Sequence, residues 1–346
     1  MTETVTEAGD PPGLVLARLT GWLDERCPGL RQGPLRAEVI TGGRSNLTYR
    51  ITDGVGDWAL RRPPLGHVLP TAHDMAREYR IISALAGSAV PVPDPIELCT
   101  DREVLGEPFY LMGFVDGIVI DRPELVSDPA AAAGTSELLV DTLLALHGVD
   151  AGQLGLADFG RPEGYLQRQI ARWHKQFQAS VAERDIEQRV VAALRSRLPS
   201  GSGSAIVHGD YRLTNVIFRR DLSAIDAVVD WEMATLGDPL TDLGLLYVYH
   251  DEVAATGAVM PTFPAELGFL SPDQMMDRYA ERSGRPLENL DWYIAFGYFK
   301  LGVIAAGIDA RYRQGNTVGA GFEVFGALSD STLSAAAERL SRIGAM

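Results

Sequence analysis

Three short apolar segments in the middle of the chain each adjoin a polar side chain that a buried strand does not need. The segments are residues 205–207, 216–218 and 227–229. Apolar runs of this length, bounded by turn residues, are typical of strands. Asp210 follows the first segment, Asn215 precedes the second and Asp230 ends the third. Because Asp210 and Asn215 are five residues apart on one loop between two strands, we expect both side chains to point into one cleft.

The N-terminal part of the chain alternates strand-like segments with turns. Apolar residues at helical spacing first predict a helix over residues 14–26. Strands are predicted at residues 38–40, 47–51, 58–61 and 109–112, with a glycine turn at 41–46 and a proline-rich connector at 90–95. Between them, the spacing of Thr71 and Asp74 is typical of a capping box at the start of a helix. The pattern predicts a small antiparallel sheet accompanied by helices.

The remaining sequence is mainly helical. Asp128 and Pro129 are a predicted N-cap and first helical residue, and that helix ends at Gly148. Further helices are predicted at about 165–177 and 182–198, and residues 238–346 are predicted to be helices and loops. The fold class is therefore α+β. We expect a flexible N-terminal tail at residues 1–13, a sheet-containing N-lobe at 14–112 and a larger, mainly helical C-lobe at 113–346.

The charge balance narrows the range of partners. The chain has 31 basic and 46 acidic residues, a net charge of −15, which would repel a nucleic-acid backbone or an anionic membrane over most of the surface. We therefore expect neither as a partner. Cys27 and Cys99 are too few for a disulfide-stapled secreted scaffold, and the N-terminus lacks the pattern of a signal peptide. A cytoplasmic location is predicted, and the oligomeric state is left open.

One long apolar stretch, residues 292–308, is interrupted by Lys300 at its centre. It is shorter than the roughly 20 residues that a membrane span needs, so it is predicted to be a buried helix. Its aromatic residues could line a binding pocket, although aromatics at this density more often form core. Lysine is rare elsewhere, because Lys175 is the only other one among the 31 basic residues.

Phosphoryl transfer from a nucleotide requires three kinds of group. These are a carboxylate that orients the attacking hydroxyl and accepts its proton, oxygen ligands for Mg²⁺, and cationic or amide donors around the phosphates. Asp210 can be the carboxylate. Asn215 and Asp230 suit Mg²⁺, which prefers few protein oxygens together with substrate phosphates.

Three segments together resemble the signatures of the aminoglycoside phosphotransferase and choline kinase group. They are residues 208–215, 230–232 and 237–244. Within this group, residues 61–64 and 90–93 resemble the phosphotransferases related to the kinase domain attached to some acyl-CoA dehydrogenases. The resemblance implies a protein-kinase-like fold with two lobes. It also implies ATP, with GTP as the alternative nucleotide, and Mg²⁺ as cofactors.

The resemblance assigns roles to residues of the C-lobe. Asp210 would be the catalytic base, and Arg212 would touch the γ-phosphate. His208 would brace the catalytic loop by hydrogen bonds, and Asp242 would be a buried acceptor for the backbone amides of that loop. The implied metal ligands are Asn215 and Asp230.

The resemblance also implies a nucleotide site in the N-lobe. Glu78 would form an ion pair with Arg61, which stands where relatives carry a lysine. The alternative is that Glu78 lies on an exposed helix face. Backbone groups of Gly113 and Val115, just after Met112, would hold adenine. The turn that covers the phosphates, unless it is an ordinary hairpin turn, would contain Gly43, Arg44 and Ser45.

The expected function is an ATP- and Mg²⁺-dependent phosphotransferase, a small-molecule kinase whose acceptor is an alcohol group. An aminoglycoside or a hydroxylated acyl metabolite would be the acceptor. The alternative is a catalytically weak or silent nucleotide-binding protein, because Arg61 replaces the usual lysine. A protein kinase is disfavoured, since no Asp-Phe-Gly and Ala-Pro-Glu pair frames an activation segment after His208.

Overall fold

The computed structural model describes residues 10–40, 46–65, 73–181, 184–254, 261–315 and 321–346. The chain divides into two compact units. One lies within Met1–Gly87 and Val92–Asp116, and the other within Ser88–Pro91 and Gly117–Met346.

The first unit contains a five-stranded antiparallel sheet. Its strands are β1 (Arg36–Val39), β2 (Leu47–Thr52), β3 (Asp57–Arg62), β4 (Pro95–Cys99) and β5 (Phe109–Gly113), in the order β1-β2-β3-β5-β4. The sequence predicts all of these strands except β4, because Pro95 belongs to the proline-rich connector. Proline cannot donate a ladder hydrogen bond, and β4 tolerates it as an edge strand.

Side-chain alternation along the strands separates two faces of this sheet. Tyr49 and Leu60 are paired across β2 and β3 and lie in a core with Leu19 and Leu23 of helix α1 (Leu16–Arg26). Arg61, the next residue along β3, therefore belongs to the opposite face of the sheet.

Two further helices complete the described part of this unit. They are α2 (Met75–Leu85) and α3 (Arg102–Leu105). The N-cap of α2 is Asp74, whose side chain accepts a hydrogen bond from the backbone N–H of Arg77 at 3.0 Å. The sequence predicts a capping box that starts at Thr71, which lies outside the described residues. The observed N-cap, Asp74, is about one turn later in the sequence.

The second unit is mainly helical. Its helices are α4 (Pro129–Gly148), α5 (Tyr165–Ser180), α6 (Asp185–Ser196), α7 (Leu240–His250), α8 (Pro272–Ser283), α9 (Leu290–Arg313) and α10 (Phe325–Arg342). Two antiparallel strand pairs accompany them. The pairs are β6 (Ala205–Val207) with β9 (Thr235–Gly237), and β7 (Val216–Phe218) with β8 (Ile225–Val228). The short segment β9 is the strand of this unit that the sequence prediction omits.

Helix α9 forms the centre of the second unit. By length and composition it could cross a membrane, but 83% of its most apolar window is buried inside the protein. The aromatic residues of its first turns are at most 3% exposed; they are Trp292, Tyr293, Phe296, Tyr298 and Phe299. They are core residues, which decides against the pocket interpretation.

Helices α7 and α9 cross at two glycines. A Cβ atom on Gly297 would lie 2.9 Å from the carbonyl oxygen of Gly244, and a Cβ on Gly244 would meet the backbone of Tyr293. No side chain fits at that spacing. The glycines that interrupt the apolar pattern of α9 are therefore partly explained by this close approach.

Candidate active site

Asp242, near the start of α7, holds the loop that carries Asp210. Its carboxylate accepts hydrogen bonds from the backbone N–H groups of His208 at 2.6 Å and of Gly209 at 2.8 Å. The Nε2 atom of His147 on α4 lies 3.3 Å from the same carboxylate, and Asp242 is 1% exposed. A buried carboxylate satisfied in this way is a rigid anchor. Burial raises its pKa, but His147 and the loop amide outweigh this, and the pKa of Asp242 lies below its ordinary value.

His208 braces the same loop through both ring nitrogens. Its Nδ1 accepts a hydrogen bond from the backbone N–H of Asp210 at 3.2 Å, so Nε2 carries the proton and donates to the carbonyl of Val229 at 3.0 Å. Gly209 between them has φ of +82°, and a Cβ there would lie 2.9 Å from the carbonyl oxygen of Met233. The turn therefore requires glycine.

The carboxylate of Asp210 is held by partners on both oxygens. The side-chain amide of Asn215 donates to Oδ2 at 3.0 Å and to the backbone carbonyl of Asp210 at 2.8 Å. The hydroxyl of Tyr249, near the end of α7, donates to Oδ1. The guanidinium of Arg212 lies 3.6 Å from Oδ2 and 5.0 Å from the centre of the Tyr249 ring. These contacts fix the orientation of the carboxylate.

The surroundings of Asp210 keep it ionised. Burial raises its pKa, but the positive charges of Arg212 and Lys300 together with the Tyr249 hydrogen bond outweigh burial, so the pKa of Asp210 lies below its ordinary value. Burial and the Asp210 carboxylate raise the pKa of Tyr249 well above its ordinary value. Tyr249 therefore remains a donor and Asp210 an acceptor at neutral pH.

Asn215 and Asp230 are brought together by the β7–β8 ladder. Val216 pairs with Val228, and the N–H of Val229 donates to the carbonyl of Asn215 at 2.9 Å. Asp230 has φ of +67°, a left-handed conformation that is uncommon for a residue other than glycine and is often retained for function.

This pair of residues fits Mg²⁺. The amide nitrogen of Asn215 is used by Asp210, which leaves its carbonyl oxygen for a metal, and Asp230 adds a carboxylate. Among the described residues, no group of three or more His, Cys, Asp or Glu side chains could hold a metal ion. A set of one amide and one carboxylate oxygen suits Mg²⁺, which keeps water and phosphate as its other ligands.

In the first unit, Glu78 of α2 is the centre of a buried polar cluster. It is 1% exposed and accepts hydrogen bonds from Arg61 Nε at 2.8 Å, from the hydroxyl of Tyr110 at 3.1 Å and from the amide of Asn46 at 3.0 Å. Arg61 and Tyr110 are paired in the β3–β5 register, so both project toward α2. The ion pair between Arg61 and Glu78 is present, and the exposed-face interpretation of Glu78 is wrong.

The segment expected to hold adenine comprises the end of β5 and the residues just after it. Met112 is buried, and the N–H of Gly113 donates to the carbonyl of Asp94 at 2.8 Å. That N–H is therefore already engaged, which leaves the carbonyl of Gly113 and the backbone of Val115 as possible adenine contacts. Gly43, Arg44 and Ser45 of the predicted phosphate turn lie outside the described residues.

The sequence prediction did not include two side chains that lie near Asp210. Tyr249 donates to its carboxylate, and Lys300 of α9 donates to the carbonyl of Gly209. Tyr249 has no local sequence signal. Lys300 has one, since a lone lysine in an apolar helix needs a partner.

The sequence has relatives among known phosphotransferases. Residues 36–281 match the profile of the phosphotransferase enzyme family. The chain is 34% identical over 305 residues to acyl-CoA dehydrogenase family member 11 of Gallus gallus, which covers 84% of this chain and 39% of that protein. The chain spans 28% of the length of acyl-CoA dehydrogenase family member 10 of Mus musculus and 39% of that of the Gallus gallus protein.

Solved structures share the fold. A Ralstonia eutropha protein, provisionally named an aminoglycoside phosphotransferase, superposes with a TM-score of 0.78 at 31% identity, over 93% of this chain and 98% of that one. A choline kinase from Cryptosporidium parvum gives a TM-score of 0.63 at 12% identity, over 95% of this chain and 97% of that one. The protein-kinase-like fold expected from the sequence is confirmed, and with the matched profile these comparisons show that the chain belongs to the phosphotransferase enzyme family.

Proposed function

We propose that this chain transfers the γ-phosphate of ATP to a hydroxyl group of a small molecule. The observation that carries the proposal is the Asp210 carboxylate, which is ionised and oriented by Asn215 and Tyr249 on a loop anchored by Asp242. Each carboxylate oxygen has a second lone pair, so Asp210 can still accept a hydrogen bond from an attacking hydroxyl. In a loose transition state, orienting that hydroxyl matters more than the strength of the base.

Mg²⁺, held by Asn215 and Asp230, would neutralise charge on the nucleotide phosphates. Arg212 would do the same for the γ-phosphate. Its buried Nε atom lies 3.6 Å from Oδ2 of Asp210, and the terminal nitrogens of the guanidinium would donate to a phosphate oxygen. Arg61 would supply a planar cation for the nucleotide in place of lysine.

The charges near Asp210 are mixed. The cations Arg212 and Lys300 act on Asp210, and the carboxylates of Asp210, Asp230 and Asp242 act on these two cations. The charges therefore do not separate a polycationic aminoglycoside from a neutral acceptor. A hydroxylated acyl metabolite is our proposed acceptor class, and the similarity to acyl-CoA dehydrogenase family member 11 supports it.

The second candidate is a nucleotide-binding protein without catalysis. It is motivated by Arg61, whose Nε atom is committed to Glu78. We propose the cytoplasm as the location, which suits the free thiols of Cys27 and Cys99.

The test is release of ADP from Mg·ATP, with GTP in parallel, in the presence of a panel of hydroxy acids, hydroxyacyl thioesters and aminoglycosides. We expect acceptor-dependent turnover by the wild type and a loss of at least about 10²-fold in kcat for Asp210→Ala, the scale of a lost general base. Asp226→Ala, which removes an aspartate of β8 that pairs with Arg219, is the control. Tight ATP binding without turnover on the whole panel would favour the second candidate, and an active Asp210→Ala variant would contradict the role of Asp210.

A further inference from the structure

Lys300 is a buried ammonium group beside the catalytic loop. It lies in the middle of α9, is 7% exposed, and is one of two lysines in the chain. Its Nζ atom donates to the carbonyl of Gly209 and lies 5.3 Å from the centre of the Trp173 ring. A buried ammonium lowers stability unless other groups compensate for lost hydration, so its position calls for a function.

The helix crossing fixes how deeply Lys300 enters the second unit. Gly297 lies one turn before Lys300 and packs against the backbone of Gly244 on α7. The same helix, α7, carries Asp242 and Tyr249. The backbone of α9 is thereby held at a fixed distance from the elements that support the loop.

The peptide unit between Gly209 and Asp210 is bonded at both ends. Lys300 binds its carbonyl oxygen, and Nδ1 of His208 accepts its N–H at 3.2 Å. A peptide unit is planar and rotates as one body, and glycine allows that rotation more freely than any other residue. Rotation of this unit would change the direction of the Asp210 side chain.

We infer that Lys300 is a positioning residue for phosphoryl transfer: by holding the Gly209 carbonyl, it fixes the peptide plane from which Asp210 projects. The inference rests on the proposed function of Asp210. A purely structural lysine would change the stability of the fold but not the turnover of the folded protein, and this difference can be measured.

Burial and three charged residues affect the pKa of Lys300. Burial lowers the pKa of Lys300 to about 8, the carboxylates of Asp210 and Asp242 oppose that shift, and Arg172 adds to it. The ammonium form is therefore the one present at neutral pH, and it is lost as pH rises through about 8. Turnover of the wild type should fall over the same range.

The experiment compares Lys300→Met with Lys175→Met, which makes the same change at the other lysine, an exposed residue of α5. Both variants are assayed with Mg·ATP and the best acceptor, at a temperature below their thermal unfolding midpoints. We expect Lys300→Met to lower kcat by about 10²-fold, the scale of a misplaced catalytic group, with KM for ATP changed by less than about threefold. Lys300→Arg should recover part of kcat and no longer lose activity near pH 8. Lys175→Met should match the wild type.

Hydrogen exchange separates this inference from the proposed function. In Lys300→Met the amide of Asp210 should exchange faster than in the wild type, whether or not an acceptor has been found. If the wild-type protein does not transfer phosphate, the proposed function is wrong. Faster exchange of the Asp210 amide in the variant would still support the positioning role of Lys300. Unchanged exchange, or a kcat within about threefold of the wild type, overturns the inference. If Lys300→Met does not fold, Lys300→Gln is measured in the same way, with the same two deciding outcomes.

Discussion

The hydroxyl of Tyr249 donates a hydrogen bond to Oδ1 of Asp210. The two residues are 39 positions apart, and the contact joins the end of α7 to the loop that carries Asp210. It leaves the carboxylate with a preferred orientation before any substrate is present, because Asn215 holds the other oxygen.

Tyr249→Phe should therefore lower kcat while KM for ATP stays near the wild-type value. A hydrogen bond to a charged acceptor contributes roughly 1.5–3 kcal/mol, so the expected loss is about tenfold or more. Steady-state kinetics measures it. Tyr298→Phe is the matched control, since the Tyr298 hydroxyl also donates to a carboxylate, that of Asp251 at 2.6 Å. Equal kcat values for Tyr249→Phe and the wild type would show that the Tyr249 hydroxyl does not contribute to turnover.

Glu78→Gln should destabilise the first unit. The change leaves the Arg61 guanidinium without its carboxylate in a buried place, and breaking a buried ion pair costs roughly 3–5 kcal/mol. Urea unfolding followed by fluorescence gives the difference in the free energy of unfolding. Glu38→Gln, at an ion pair whose glutamate side chain is 69% exposed, should change it little. If the Glu78→Gln protein is as stable as the Glu38→Gln protein, the polar cluster around Glu78 contributes nothing to the free energy of unfolding.

Asp242→Asn should reduce both stability and turnover. An amide has one acceptor oxygen instead of two, so at least one of the His208 and Gly209 N–H groups loses its partner. An unsatisfied buried donor costs roughly 1–3 kcal/mol. Thermal unfolding and kcat are measured together, with Asp330→Asn at an exposed ion pair as control. Retention of full kcat would show that the loop keeps its conformation without this anchor.

His250 should make the protein sensitive to acid. Burial lowers its pKa to about 4 from an ordinary 6.5, and its Nε2 atom is buried without a partner among the described residues. Because the unfolded chain binds the proton more readily, the neutral histidine contributes stability above pH 6.5 that is lost as pH falls toward 4, by roughly 3 kcal/mol.

Urea unfolding of the wild type and His250→Asn at pH 7 and pH 5 tests this difference. Asparagine does not titrate and retains a donor for the Leu246 carbonyl that Nδ1 contacts. The variant should lose less stability than the wild type between the two pH values. Equal losses would show that His250 is not the acid-sensitive group.

The sequence predicts that Asp210 and Asn215 share one loop, and in the structure the Asn215 amide lies 3.0 Å from the Asp210 carboxylate. The spacing also predicts roles for these residues and for Asp230 in phosphoryl transfer, and those roles stay predictions. Tyr249 and Lys300 reach the same loop from positions 39 and 91 residues away. No local pattern couples residues at such distances, because the contact exists only after helices have packed.

The environment of Glu78 shows the same limit. Arg77 and Arg80 beside it in the sequence indicate a solvated helix face. Its burial depends on Arg61 and Tyr110, which come from two strands and meet only when the sheet forms. The sequence does not predict strand β4 for a different reason. Pro95 is a turn signal in the sequence, and a strand tolerates it only at the edge of a sheet.

The anchoring of the loop by Asp242 has a consequence for the order of folding. Asp242 lies 34 residues from His208 and 95 residues from His147, so the contacts close two long segments of chain. Closing such segments loses entropy before the contacts compensate for it. We therefore expect the loop to acquire its native conformation only after α4 and α7 have docked. A nascent chain that ended before α7 would contain every residue from His208 to Asn215 and still lack the geometry that orients Asp210.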